Sequence, residues 1–462
     1  MARLLSGKLA LARGVGALSR LRGSGATSIP GKVLMRLEPD AIASLGARLK
    51  DGSALISATN GKTTTAAMLS EIMTRRGVSL VHNRAGANMA GGVATTLLDA
   101  ARPHGGMAGE LGLFEVDELW LAELTQQLCP RAILLGNLFR DQLDRYGELE
   151  AIADSWRDTL AGSSAQAVLN ADDPLVADLG RERAGTLYFG VEDDSLALSG
   201  MAHAADAKHC RNCGAPYVFD AVYLGHLGHY HCPNCGRTRP VPSVTAGEVK
   251  LEGVRAARFT LTTPAGRTEV SLALPGLYNV YNALAAAALG TALAIPLEAI
   301  KAGLEGARAA FGRAETVSLP IPGGERREMR ILLVKNPAGA NEVLRTLALE
   351  PGEHDLLGVL NDQIADGRDV SWIWDADFEQ LAGRVRQAIC SGSRAADLAT
   401  RLKYAGIETE RIRIVPELET ALAEATVAGA RSSTLYALPT YTAMLALRRL
   451  LVARGEAPSS WT

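Results

Sequence analysis

One stretch of this chain, "SALISATNGKTTTAAMLSEIM" (53–73), constrains the fold more than any other. Ser53 to Ser57 is a short apolar run of strand length, and "TTTAAMLSEIMTRRG" (63–77) has the spacing of a helix. A strand that turns tightly into a helix start points several backbone N–H groups at one spot. The positive end of the helix dipole adds to them, so the turn favours phosphate oxygens. In such a loop Lys62 reaches the β/γ-phosphates and the Thr63 hydroxyl reaches Mg2+. The common form, G-x-x-x-x-G-K-[ST], has its first glycine where this chain has Ile56. The loop is therefore a shorter variant of a nucleotide loop.

The same rhythm continues. "LGLFEVDE" and "RAILLGNL" read as further buried strands with helical stretches around them, which predicts an α/β fold on a parallel sheet. With 462 residues, 47% of them hydrophobic, the chain has core enough for two or three domains. We divide it into a basic N-terminal arm (1–50), a central nucleotide-binding domain (51–315), a polar linker (316–327) and a smaller Rossmann-like α/β domain (328–462) that opens with "RILLVKN". The arm carries seven Lys or Arg and no acid before Glu38. Leu4, Leu11, Val15 and Leu18 could share one helical face there, which suits either an anionic membrane surface or a surface helix frayed by its glycines. No apolar run approaches the roughly 18–20 residues that span a bilayer, and no signal peptide is expected. A net charge of -2 gives no basic field for nucleic acid.

Residues 205–240 interrupt the alternation with Cys, His, Tyr and Gly. Cys210, Cys213, Cys232 and Cys235 stand as C-x2-C-x18-C-x2-C, the spacing of two knuckles closing one four-thiolate zinc site. Four thiolates leave no open position, so the Zn2+ is expected to be structural. Cys129 and Cys390 lack the flanks of a nucleophile elbow and read as core thiols.

Several strings together resemble the Mur ligase family, the ATP-dependent ligases that include folylpolyglutamate synthase. They are the short loop T-N-G-K-T-T, "GANMAGG" (86–92), "FEVDE", "NLFRDQLDRYGE" (137–148), "LNADDP" (169–174), "GLYNVYNALAAAA" and "FGRAE", and they occur in the family's order. The resemblance implies that Thr59, Asn60, Gly61, Lys62, Thr63, Thr64, Asn279, Asn282 and Arg313 bind ATP, and that Thr63 and Glu115 hold Mg2+. Lys62 and Glu115 would then serve the chemistry directly. The chain departs from the family at three places. Ala58 replaces a loop glycine, Gln142 replaces a metal-binding histidine, and no lysine occurs between Lys62 and Lys208 to be carbamylated.

The 50 or so residues before the loop are too few for the UDP-sugar domain of muramyl-peptide ligases. The cysteine insertion, "LVKNPAGANEVL" (333–344), "LNDQIADGRDVSWIWDADFE" (360–379), "SGSRAADLATRLKYAG" (391–406) and "ALPTYTAML" (437–445) resemble the MurT branch instead. That resemblance implies amidation of the D-isoglutamate α-carboxylate in the lipid II stem peptide, at the cytoplasmic side of the membrane. ATP would activate the carboxylate as an acyl phosphate, and a GatD-type class I glutaminase on a separate chain would supply ammonia. It also implies that Asp369 orients the histidine of the partner's Cys-His pair. From the residues alone, Asp366, Asp369 and Asp375 are equally turn caps, and Trp372 and Trp374 a core pair or an interface. Two other functions fit: a stand-alone Mur or folylpolyglutamate-type amino-acid ligase, and a zinc-ribbon scaffold without catalysis.

Overall fold

The structure is a computed structural model and describes residues 2–21, 28–83, 86–102, 106–141, 149–200, 205–308, 315–428 and 434–458. Nine strands form one large sheet in the order β11-β10-β9-β6-β5-β4-β1-β3-β2. They are β1 (Ser53–Ser57), β2 (Leu80–His82), β3 (Leu111–Glu115), β4 (Ala132–Leu135), β5 (Gln166–Asn170), β6 (Leu187–Val191), β9 (Val244–Glu252), β10 (Ala256–Thr263) and β11 (Gly266–Leu272). The pairs from β2 through β9 are parallel, and β10 and β11 are added antiparallel at the edge. β1 pairs with both β3 and β4, because the chain first builds toward β2 and β3 and then crosses to the other side. Ligands of open α/β sheets bind at the carboxyl end of such a reversal, which is where β1 delivers the loop.

Every residue of β1 is buried. Since side chains alternate across a strand, Ala54 and Ile56 join one core and Leu55 the other. The first core lies under helix α4 (Lys62–Arg75) and the helix Leu277–Ala292. The second lies under α1 (Ala2–Leu21), α2 (Ile29–Leu37), α3 (Ala41–Gly46) and α5 (Ala90–Ala100).

The N-terminal 50 residues are thus no free arm. Leu9, Ala12, Leu34, Ile42 and Leu45 are buried in the second core, while Leu11, expected on the apolar face, is 58% exposed. The side chains of Leu4 and Leu18 lie outside the described residues. Of the glycines that suggested fraying, Gly7 and Gly14 make no close approach to the rest of the fold, and the tight contact lies instead at Gly31 on α2. Gly31 meets α5 so closely that a Cβ there would stand 2.0 Å from the Gly91 carbonyl oxygen, and its N–H donates to Thr95 Oγ1 at 2.9 Å. Only a residue without a side chain allows that approach.

The last part of the chain folds on a second, six-stranded sheet in the order β12-β13-β17-β14-β15-β16. Residues 316–327, expected to be a linker, belong to it. β12 (Glu315–Pro320) and β13 (Arg326–Ile331) pair antiparallel, with Val317, Leu319, Met329 and Ile331 buried. The alternation in "TVSLP" outweighs the prolines and glycines that looked like a linker, which supply only the turn. β14 (His354–Val359), β15 (Val385–Ser391), β16 (Ile412–Ile414) and β17 (Leu435–Pro439) complete a parallel run. Cores cover both faces of this sheet, and Cys390 is buried in one of them. Among the described residues no helix is long and apolar enough to cross a membrane.

Candidate functional site

After Ser57 the chain turns under a clamp of backbone bonds. Thr59 N–H donates to the Asn137 carbonyl at 3.0 Å, Asn60 N–H to Asn137 Oδ1 at 2.9 Å, and Asn137 Nδ2 returns to the Asn60 carbonyl at 3.0 Å. Gly61 has φ +86°, and a Cβ on it would collide with Asn282 Oδ1 at 1.9 Å. Both constraints demand glycine. Positive φ among described non-glycine residues occurs only at Cys129, Glu248 and Ala294. Ala58 therefore turns without strain. Asn282 in turn donates to Asn279 Oδ1 at 3.1 Å, and Asn279 to the Pro275 carbonyl at 2.8 Å. Thr64 is buried behind the loop.

Lys62 opens α4 and its ammonium lies 2.8 Å from Glu118 Oε2. Burial works against its charge, but the attraction and hydrogen bond of Glu118, aided by Glu115 and Asp117, raise it above the ordinary lysine value. Thr63 Oγ1 donates to Glu115 Oε1 at 3.0 Å, so the hydroxyl and carboxylate expected to share Mg2+ already touch. Two hard oxygens at a helix start suit a divalent cation beside phosphate. Asn83, from the stretch before "GANMAGG", fixes Glu115. It accepts the Glu115 N–H at 2.9 Å and donates to the Glu115 carbonyl at 2.7 Å.

The small sheet reaches the loop from the other side. Lys335, just past β13, donates to the Thr59 carbonyl at 3.0 Å and to Asp141 at 2.5 Å. Asn336 Nδ2 donates to Asn60 Oδ1 at 3.0 Å, while its own Oδ1 caps the helix Pro337–Ala348 by accepting the Gly339 N–H. Between the sheets lies a cleft lined by Gly61, Thr64, Asn279, Tyr278, Lys335 and Glu342 among apolar walls such as Phe139, Leu274 and Leu332.

Glu118, Asn83, Lys335 and Asn336 were not assigned from sequence. Glu118 stood in a string of three acids, and it meets Lys62 from a short helical turn that Asp117 caps by accepting the Leu119 N–H at 3.3 Å. Lys335 and Asn336 had a signal, a polar pair directly after an apolar strand, but nothing local says that this strand end faces the first sheet. Arg313 and Gln142 lie outside the described residues.

The four cysteines converge. Their sulfurs all lie within 4.8 Å of one another, with Cys210–Cys235 at 3.6 Å and Cys213–Cys232 at 3.5 Å. A tetrahedral zinc with bonds of about 2.3 Å requires sulfur separations of about 3.8 Å, so the thiols fit the ion. The hairpin of β7 (Val218–Leu224) and β8 (Leu227–His231) joins the two knuckles.

Asp369 is exposed, and its Oδ1 accepts the Ser371 N–H at 2.8 Å, a bond that holds its carboxyl below the usual carboxylate range. Asp366 is buried and accepts the Thr442 N–H at 2.7 Å. Trp374 is 51% exposed, its ring 5.7 Å from that of Tyr404, whereas Trp372 packs partly into the core.

This geometry has known counterparts. The Mur ligase middle domain family matches residues 56–234, and the MurT ligase C-terminal family matches residues 333–444. The chain is 33% identical over 444 residues to the lipid II isoglutaminyl synthase (glutamine-hydrolyzing) subunit MurT of Streptococcus pneumoniae, covering 95% of this chain and 94% of that one. It is 31% identical over 427 residues to the subunit of the same name from Staphylococcus aureus, covering 92% and 93%. Among solved structures, a pseudomurein peptide ligase type C from Methanothermus fervidus aligns with a TM-score of 0.68 at 23% identity, over 89% of this chain and 80% of that one. Folylpolyglutamate synthase of Mycobacterium tuberculosis, solved with ADP, aligns with a TM-score of 0.60 at 17% identity, over 91% and 94%. Matched over nearly its whole length by MurT subunits and in both halves by the corresponding families, the chain belongs to the MurT family of Mur-type ligases.

Proposed function

We propose that this chain is the ATP-consuming half of a lipid II amidating enzyme. The observation that carries the proposal is the contact of Thr63 and Glu115 beside the ammonium of Lys62, at a helix start facing an interdomain cleft. A carboxylate is a poor electrophile. Transfer of the γ-phosphoryl group breaks its bond to the β-phosphate oxygen and forms an acyl phosphate on the D-isoglutamate α-carboxylate. Ammonia then adds to the acyl carbon, inorganic phosphate leaves, and the nitrogen releases a proton. Lys62 would neutralise the transferring phosphoryl oxygens, with Arg313 joining it, while Thr59, Asn60, Gly61 and Thr64 cradle the phosphates and Asn279 and Asn282 support the loop. Mg2+ held by Thr63 and Glu115 would supply further positive charge at the same oxygens.

A separate GatD-type glutaminase would supply the ammonia, and Asp369 would orient its catalytic histidine. The exposure of Asp369 and Trp374 supports a role at a partner surface. The four cysteines would carry Zn2+ as a structural brace. The lipid-linked substrate places the work at the inner face of the membrane. The names of the two MurT relatives support this choice of substrate over an amino-acid ligase.

The test supplies ATP, lipid II and ammonium to the wild-type chain and to Lys62→Ala. Amidation should appear without any amino-acid co-substrate and fall by at least about a hundredfold in the variant. A product lengthened by an amino acid, or full activity in Lys62→Ala, would refute the proposal.

A further inference from the structure

Glu342, on the helix Pro337–Ala348, lines the cleft between the sheets and is 5% exposed. No hydrogen bond or ion pair reaches its carboxyl from the described residues, whereas several other polar groups that line the cleft are committed elsewhere. Asn279 and Asn282 hold each other and the Pro275 carbonyl, Tyr281 donates to Asp172 at 2.6 Å, and Lys335 is held by Asp141 and the Thr59 carbonyl. A buried carboxyl without a partner is unfavourable in the folded protein. An unmet polar group lining an otherwise apolar cleft points to a ligand that meets it.

The same cleft is lined by Asn60, Gly61 and Thr64 of the phosphate loop and by Tyr278, Leu274, Leu332 and Val343. A nucleotide whose phosphates occupy the loop would lay its base between such apolar walls. We propose that Glu342 reads the hydrogen-bonding edge of that base and selects adenine, an inference that rests on the nucleotide reading of the loop. Burial pushes this carboxyl up to about 7, with Arg345 opposing, so it tends to hold its proton in the cleft. A protonated carboxyl offers one donor and one acceptor side by side. Adenine presents the complement, its amine beside a ring nitrogen, on both of its edges. Guanine has two acceptors, N7 and O6, along its major-groove edge, so it is by reading that edge that Glu342 separates the two purines. Glu342 is therefore a specificity-determining residue and takes no part in phosphoryl transfer.

The experiment measures binding of ADP and of purine riboside 5′-diphosphate, which lacks the 6-amino group, by calorimetry on the full chain with Mg2+. Wild type should prefer ADP by about tenfold or more. Glu342→Gln keeps a donor and an acceptor in place and should retain the preference, whereas Glu342→Leu should bring the ratio near one by weakening ADP alone. Because the carboxyl has no partner, Glu342→Leu should melt no lower than wild type without nucleotide, and Glu342→Gln gives an isosteric comparison if it does. Equal binding of both ligands by wild type, or parallel loss of both in Glu342→Leu, overturns the role of Glu342 and leaves the nucleotide site standing. Failure of wild type to bind either ligand overturns the nucleotide reading itself.

Discussion

Single residues at this site are fixed by what surrounds them. Gly61 is the clearest case, since a left-handed turn and the Asn282 side chain both exclude a Cβ. Its place was legible in the sequence, because a glycine ahead of Lys-Thr at a strand end has one structural use. Glu118 was not legible, since its pairing with Lys62 joins residues 56 apart in the chain, a contact no local pattern carries. Glu342 was equally hidden within an amphipathic helix, where a Glu normally faces solvent. Its burial has a consequence for stability. An acid raised from 4.5 to about 7 binds its proton more tightly when folded. Its contribution is then most favourable below pH 4.5 and is lost as pH rises through about 7. The loss is on the order of 3 kcal/mol, from 1.36 kcal/mol per pH unit over that window. Urea unfolding of Glu342→Gln and wild type at several pH values should show the variant gaining on wild type between pH 5 and pH 7.5. A constant difference would mean that the carboxyl does not titrate in this window.

At the scale of elements, buried apolar runs marked β1, β3 and β4, but not the short strand β12 or how closely helices cross. The N-terminal glycines read as fraying because a helix interior disfavours glycine. Gly7 and Gly14 of α1 make no close contact, whereas Gly31, beyond it, is where α2 touches α5, a long-range fact that no local pattern carries. Gly31→Ala should destabilise by about 1–3 kcal/mol, since the added methyl meets backbone that cannot move aside. A denaturation midpoint unchanged from wild type would show that the helices separate freely. Residues 316–327 were misread for the related reason that turn residues mask a short alternating strand. The cysteine knuckles were legible from spacing alone, because four thiols in that register have few other uses. Chelation, or Cys210→Ser with Cys213→Ser, should free the β7–β8 hairpin to exchange its amide hydrogens far faster. Metal analysis well below one zinc per chain in carefully prepared native protein would remove the ion from this account.

Across the whole molecule, the two sheets meet over the loop of Thr59 and Asn60, an arrangement that sequence could suggest only through family resemblance. Asp369 is exposed, in the stretch between β14 and β15 of the small sheet. If it orients a partner's histidine, Asp369→Asn should abolish glutamine-dependent amidation and spare amidation fed by ammonium. A serine-protease triad loses roughly 10⁴-fold from the equivalent change, an upper guide. Assays with both nitrogen sources and the glutaminase present decide the matter, and equal loss from both would return Asp369 to the ligase site. The amide pair of Asn60 and Asn336 carries a different consequence. Because it bridges the two sheets, their separation is one coordinate that both ends of the molecule share. A glutaminase that docks more tightly when the bridge is closed must tighten nucleotide binding by the same factor by which nucleotide tightens its docking. Nitrogen supply and phosphate supply would then sense each other through reciprocity alone, without any residue passing a message between them.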